Sequence, residues 1–258
     1  MFTKTSKLNL LKYGAAALLF SAFTTQAAPI PIDLSTWQSD GTTTWQLQPG
    51  NDTVRQTQNT DPTIFFKDGE NAQGTQISGR ISSNYGGDDD FIGFVLGYQD
   101  NELTSASAEY ILIDWKQGDQ SFPGLGQAFD GLAASVVTGA AADSEFWTHT
   151  GAVSEVTRAT TLGSTGWVTG TEYLFDIVFT SNLIQVYVDN VLELNFTAAD
   201  AGLASFGDGS VGFYNYSQQN VLYAGLTEQQ VVPTVSTPAA LGLFVMGIAG
   251  LAFRRKTA

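Results

Sequence analysis

Three adjacent carboxylates, Asp88-Asp89-Asp90, follow Tyr85-Gly86-Gly87 and run straight into the apolar stretch Phe91 to Tyr98. Like charges held this close repel one another, and the crowding costs stability unless water or a cation screens it. Calcium would relieve that cost. It takes about six to eight hard oxygen ligands in loose geometry, and a turn after two glycines lets carboxylates and backbone carbonyls converge. A solvated turn that ends a strand is the other reading of the same residues, and no EF-hand spacing surrounds them.

Other chemistry is sparse. His149 is the single histidine and there is no cysteine, which excludes multi-His and Cys zinc sites. A Ser-His-Asp triad would have to use His149, and triad geometry is not readable from sequence. Trp115, Trp147 and Trp167 read as core or rim aromatics. Trp147 is also a weak candidate for stacking on a sugar ring. Glu172 and Asp176 are the nearest approach to a glycosidase carboxylate pair, but Asp176 sits inside an apolar strand and reads as a hydrogen-bonded residue.

Both ends of the chain read as addresses. Lys4, Lys7 and Lys12 precede an apolar run from Tyr13 to Phe23 and the small-residue site around Ala27, the pattern of a secretory signal peptide over residues 1–27. Pro238, the apolar run Ala239 to Phe253 and the basic cluster Arg254-Arg255-Lys256 close the chain. The apolar run falls short of the roughly 20 residues of an unaided span, so a plain anchor is one reading. The tripartite end also resembles the PEP-CTERM sorting signal, which implies an exosortase-type partner. Val235, Ser236, Thr237 and Pro238 stand where that motif reads Val-Pro-Glu-Pro, with Val232-Pro233 as an upstream match.

Six of the eleven basic residues lie in these ends, while all 25 acidic residues lie between them, so the body carries 5 − 25 = −20. Such a surface repels phosphate backbones and anionic headgroups. Nucleic acid is therefore not an expected partner, and membrane contact is expected only through the tail.

The body, residues 28–230, is rich in Thr, Gly, Val, Tyr and Phe, as all-β domains are. Phe91 to Tyr98, Tyr110 to Lys116, Tyr173 to Phe179, Leu183 to Val188, Val211 to Tyr216 and Val221 to Leu226 read as strands. The nearly continuous Tyr110 to Lys116 run predicts a central strand covered on both faces. Asp189-Asn190 predicts a tight hairpin turn. Strands about ten residues apart with turn residues between them indicate a sandwich or barrel. Gly118 to Asp143, with its scattered glycines and Ala-rich Ala133 to Ala142, reads as a long excursion over one face.

The segments DDDFIGFVLGYQ (residues 88–99) and YILIDWKQ (110–117) closely resemble the C-terminal lectin-like domain of thrombospondins and cartilage oligomeric matrix protein. VRQTQNTDP (54–62), His149-Thr150-Gly151, Gly166-Trp167, Val211-Gly212-Phe213, Ser217-Gln218 and Asn220 follow in the same order. The resemblance implies a jelly-roll β-sandwich of concanavalin or laminin-G type that binds Ca2+ through Asp88, Asp89 and Asp90, with Asn84, Asp61 and Asp100 as nearby candidates. It departs in two places. The family's preceding calcium-binding repeats are missing, and in the segment matching its cell-binding peptide (Glu109 to Lys116) the leading Arg is Glu109 and an apolar position is Asp114. The function this implies is a noncatalytic, calcium-binding adhesion module at the cell surface or in the extracellular matrix, with a glycan or matrix protein as partner. A polysaccharide-active jelly-roll enzyme and a purely structural surface protein are the alternatives.

Overall fold

The computed structural model describes residues 28–42 and 44–231. The expected leader, and the sorting tail with Val235, Ser236, Thr237 and Pro238, lie outside the described residues. In chain order the strands are β1 (Ile30–Pro31), β2 (Gln38–Asp40), β3 (Trp45–Leu47), β4 (Thr53–Gln56), β5 (Thr63–Phe66) and β6 (Thr75–Ser83). β7 (Phe91–Tyr98), β8 (Glu109–Lys116), β9 (Gln120–Phe122), β10 (Gly126–Ala128) and β11 (Gly131–Thr138) follow. After the helix α1 (Asp143–Thr148) come β12 (Val153–Arg158), β13 (Glu172–Phe179), β14 (Leu183–Val188), β15 (Val191–Thr197), β16 (Ser210–Tyr216) and β17 (Val221–Gln230).

These strands form two large sheets, antiparallel throughout. One runs β15-β14-β13-β6-β17-β4-β3, with β1 also paired to β17, and the other runs β12-β11-β8-β7-β16-β5-β2. The fold is thus all-β, a jelly-roll-like sandwich. Its main core lies between the sheets, where Ile77, Phe175, Ile177 and Val186 of the first meet Ile92, Phe94, Ile113 and Phe213 of the second. Each such side chain taken out of water contributes roughly 1.5–3 kcal/mol.

The sheets differ on their outer faces. In β13 and β14 buried residues alternate with partly or fully exposed ones, as expected of a sheet wetted on one side. In β7 every residue is buried, and in β8 all but Glu109. A second apolar cluster explains this. Phe91, Val95, Tyr110, Leu112 and Tyr214 on the outer face of the seven-stranded sheet are covered by Phe146 and Trp147 of α1 and by Ala128 of β10.

The turn at Asp189-Asn190 is present, both residues having positive φ (48° and 66°), and it joins β14 to β15, whose pairing shifts by one residue between Val186 and Tyr187. One expectation needs correction. Gly118 to Asp143 is not a loose excursion: it holds the β9–β10 hairpin, and Ala133 and Ala134 lie fully buried in β11 between β8 and β12. Partners on both sides, not local propensity, make that Ala-rich run a strand. Val211 to Tyr216 and Val221 to Leu226 are strands but in opposite sheets, with Ser217 and Asn220 at positive φ (56° and 58°) turning the chain across.

Phe94 packs against Phe175 at 4.4 Å between ring centroids and against Phe213 and Tyr223. Phe94→Ala is expected to cost about 3–5 kcal/mol in urea unfolding, and Leu174→Ala, on the wet face of β13, no more than about 0.5 kcal/mol. Similar losses for both would contradict the assignment of the two faces.

Candidate functional site

The loop from Asn84 to Asp90 links β6 to β7. At Gly87 a Cβ would lie 2.6 Å from the Tyr85 hydroxyl, so a glycine is needed for that ring to fold back. Asp90 is held from three directions. Its N–H donates to Gln218 Oε1 (3.1 Å), its carbonyl accepts from Trp167 Nε1 (3.0 Å), and its Oδ1 accepts from Lys116 Nζ at 2.6 Å.

Lys116, at the end of β8, is 0% exposed. Its other two hydrogen bonds go to the Asp89 carbonyl and Gln120 Oε1, both at 3.1 Å. The ammonium also lies over the rings of Phe91 (5.2 Å) and Trp147 (4.8 Å). All three of its protons are therefore used, and two aromatic faces add cation–π attraction. Asp89 Oδ1 stands 3.5 Å from the same nitrogen.

Asp88, Asp89 and Asp90 each bring a carboxylate oxygen within 4.8 Å of the others. Two oxygens at about 2.5 Å from one calcium ion can be up to about 5 Å apart, so the cluster matches the reach of a single ion. Asp88 accepts from Asn59 Nδ2. Burial, then the hydrogen bond to Asp90 and its charge, push the Asp88 carboxyl up to about 6, against the opposing Asn59 bond.

The other candidates fall elsewhere. Asp100 lies past the far end of β7, about 26 Å of strand from Asp90, and accepts from Gln38 Nε2 at 3.0 Å; it does not belong with the triplet. Asp61 is not among the clustered oxygens either, and its charge instead raises the Asp143 carboxyl, after burial. The exposed Asn84 donates its backbone N–H to the Asn220 carbonyl (3.4 Å). Trp147 is 2% exposed, edge-on to Phe91 and Tyr216, with Nε1 donating to the Gly126 carbonyl. It is a wall of the Lys116 cage and offers no face to a sugar, because α1 presses it onto the sheet.

Sequence reasoning missed Lys116, Gln218, Asn59 and Gln120. Only Lys116 left a signal: a lysine ending a strand expected to be covered on both faces must find a buried acid. The segment Glu109 to Lys116 is the central strand β8, buried from Tyr110 onward, so its side chains are not presented to a receptor.

His149 does take a hydrogen-bonding role. It caps α1 at positive φ (51°), with Nε2 3.0 Å from Asp114 Oδ2 and Nδ1 3.4 Å from Glu155 Oε2. Burial lowers its pKa, but the charge and hydrogen bonds of Asp114 and Glu155 outweigh this and push it up to about 9. Asp176 accepts from Ser78 Oγ and Gln76 Nε2. Its Cα lies about 13 Å along β13 from that of Glu172.

The fold and the site together define a two-sheet β-sandwich with one covered face and an acidic loop at the end of β6. Residues 40–230 match the sequence model of the thrombospondin C-terminal region, and the chain belongs to that family. It is 28% identical over 188 residues to human (Homo sapiens) thrombospondin-3, covering 67% of this chain and 19% of the relative. It is 28% identical over 195 residues to Gallus gallus thrombospondin-2, covering 70% and 16%. The chain thus spans under a fifth of the length of these relatives. Among solved structures, the carbohydrate-binding module CBM66 from Bacillus subtilis aligns at TM-score 0.52 and 10% identity, over 76% of this chain and 96% of that one. The VIP36 exoplasmic/lumenal domain in a Ca2+/Man-bound form aligns at 0.50 and 12%, over 78% and 85%. At these identities the likeness shows the fold.

Removing the Asp90 charge strands a buried ammonium. Asp90→Asn is expected to cost about 3–5 kcal/mol in chemical unfolding, and Asp88→Asn without added metal less than about 1 kcal/mol, since it relieves repulsion. Equal losses would show that Lys116 does not depend on Asp90. For His149 the folded pKa lies above the unfolded one. Its contribution is therefore complete below about pH 6.5 and is lost as pH rises through about 9, a loss of roughly 3 kcal/mol. Unfolding free energies measured across that window should fall in the parent and stay flatter in His149→Asn.

Proposed function

We propose that this chain is an exported, noncatalytic, calcium-binding module that attaches to an extracellular glycan or matrix component. The observation that carries the reading is a charge count. Three carboxylates and one buried ammonium leave −3 + 1 = −2 at the β6–β7 loop, the amount one divalent cation neutralises. Hard carboxylate oxygens are the donors calcium prefers. Lys116 occupies Asp90 Oδ1, so Asp88 and Asp89 would hold most of the ion, with the second oxygen of Asp90 as a further donor. The bound ion would screen the carboxylates of Asp88 and Asp90 from each other and tie the loop to β8.

A glycan or matrix ligand is supported by the family and by the carbohydrate-binding and Ca2+/Man-bound neighbours of the fold. The hydrogen bonds that Asp176 already accepts from Ser78 and Gln76 favour a structural or binding role over that of a glycosidase carboxylate. We further propose that residues 1–27 direct export and that the tail with Val235, Ser236, Thr237 and Pro238 is the substrate of an exosortase-type enzyme.

Calcium added to the chelated protein at pH 7.5 should raise Tm by several degrees, as mass action on the folded state requires. The shift should shrink at pH 5, where the ion must displace a proton from Asp88, and vanish in the Asp88→Asn/Asp89→Asn double variant. A melt unmoved by calcium at either pH would refute the metal site.

A further inference from the structure

The outer face of the seven-stranded sheet is sealed by α1 and the β9–β10 hairpin; among the described residues no such cover lies over the outer face of the eight-stranded sheet. A groove of about 310 Å³ crosses it, lined among others by Ser78, Arg80, Leu174, Asp176, Gly225 and Thr227. That volume lies at the low end of the range for small-ligand sites, about 300–1,000 Å³.

The groove has a structural cause. Pairing of β17 with β6 is regular up to Ala224↔Arg80 and resumes at Thr227↔Ser78, so β17 carries a bulge there. Bulges re-aim side chains and interrupt a flat sheet. Gly225 sits in the bulge at φ +61°, and a Cβ on it would lie 3.0 Å from Arg80 Nη2. The guanidinium therefore lies across bare backbone, and any larger residue at 225 would push it away.

The groups along the groove are suited to hydroxyls. Arg80, 47% exposed, offers a planar fork of donors and has only a long contact to Glu172 Oε1 (3.8 Å). Asp176 takes hydrogen bonds from Ser78 and Gln76 on Oδ1, which orients its second oxygen as an acceptor. Gln229 donates to Gln76 Oε1 at 3.0 Å, extending the array onto β17. Leu174, 47% exposed, adds an apolar surface beside these polar groups. A sugar presents this combination in reverse: hydroxyls that both donate and accept, next to a face of C–H groups.

We infer that this groove binds an uncharged saccharide, with Arg80 and Asp176 bridging neighbouring hydroxyls and Leu174 against the ring. Charge selects the class. A body at −20 disfavours uronate or sulfate chains, and Arg80 in the middle of the groove disfavours a cation. An extended peptide is disfavoured by position, because the groove lies on the face of a sheet and not along an unpaired edge. The inference rests on the glycan-binding reading above and gives that glycan a surface and a chemical class.

The test uses the full exported chain, calcium-loaded, on an array of neutral glucans, mannans and galactans beside uronic-acid and sulfated glycans, with Arg80→Ala, Arg80→Lys and Asp176→Asn. Binding to at least one neutral glycan is expected, with apparent affinity reduced at least tenfold in all three variants and Tm unchanged. Arg80→Lys keeps the charge but loses the fork, so its loss separates hydrogen bonding from electrostatics. Neutral glycan bound equally by parent and variants would overturn the groove while leaving the glycan reading standing. Binding confined to anionic glycans would overturn the ligand class, and no glycan binding at all would overturn both the groove and the glycan-binding half of the proposed function.

Discussion

A single ammonium group sets the constraints around which one side of this sandwich is assembled. Taking an amine of this kind fully out of water costs several kcal/mol unless a counter-charge and hydrogen-bond acceptors meet it. Lys116 is met by Asp90, the Asp89 carbonyl and Gln120, with Phe91 and Trp147 closing over it. Those partners come from the β6–β7 loop, the start of β7, the β9–β10 hairpin and α1. One charge on β8 thus couples three separate stretches of the chain: Asp89 to Phe91, the β9–β10 hairpin and α1.

The same interaction divides labour within the acidic triplet. Asp90 is buried and committed to the fold, while Asp88 and Asp89 remain partly exposed at the loop. Adjacent residues of one type therefore answer to different demands, one to the interior and two to the solvent side where an ion can arrive. A parallel arrangement serves α1, whose capping His149 is clamped between Asp114 and Glu155. Both cationic groups lie under the cover of the seven-stranded sheet, and among the described residues the opposite sheet has no comparable cover.

The strands that pack only through their own alternation were legible in the sequence. β13, β14 and the Asp189-Asn190 turn fall where apolar period and turn chemistry place them; β7 was found instead from its apolar run, and the continuous apolar run of β8 correctly indicated cover on both faces. The Ala-rich run of β11 was not legible, because alanine carries no strand preference and its conformation comes from β8 and β12. The division of β16 and β17 between sheets was equally hidden, since the turn at Ser217 and Asn220 looks like any short loop until its direction is known. Within the site, the triplet could be found from its crowding, and Asp100 could have been set aside from the strand reading alone, because it follows β7 while the triplet precedes it and the strand's own length keeps them apart.

What the sequence by itself determined was composition-level and local: an acidic body, a β-sandwich built of alternating and continuous apolar strands, and three carboxylates in one turn that require a positive partner. Only the tertiary structure decided who that partner is. Lys116 lies 26 residues from Asp90 and reaches it because β7 and β8 pair antiparallel, which places the last residue of one strand beside the first of the other. Pairing register is a long-range property, set by which faces the packed core must bury, and no local pattern of residues records it.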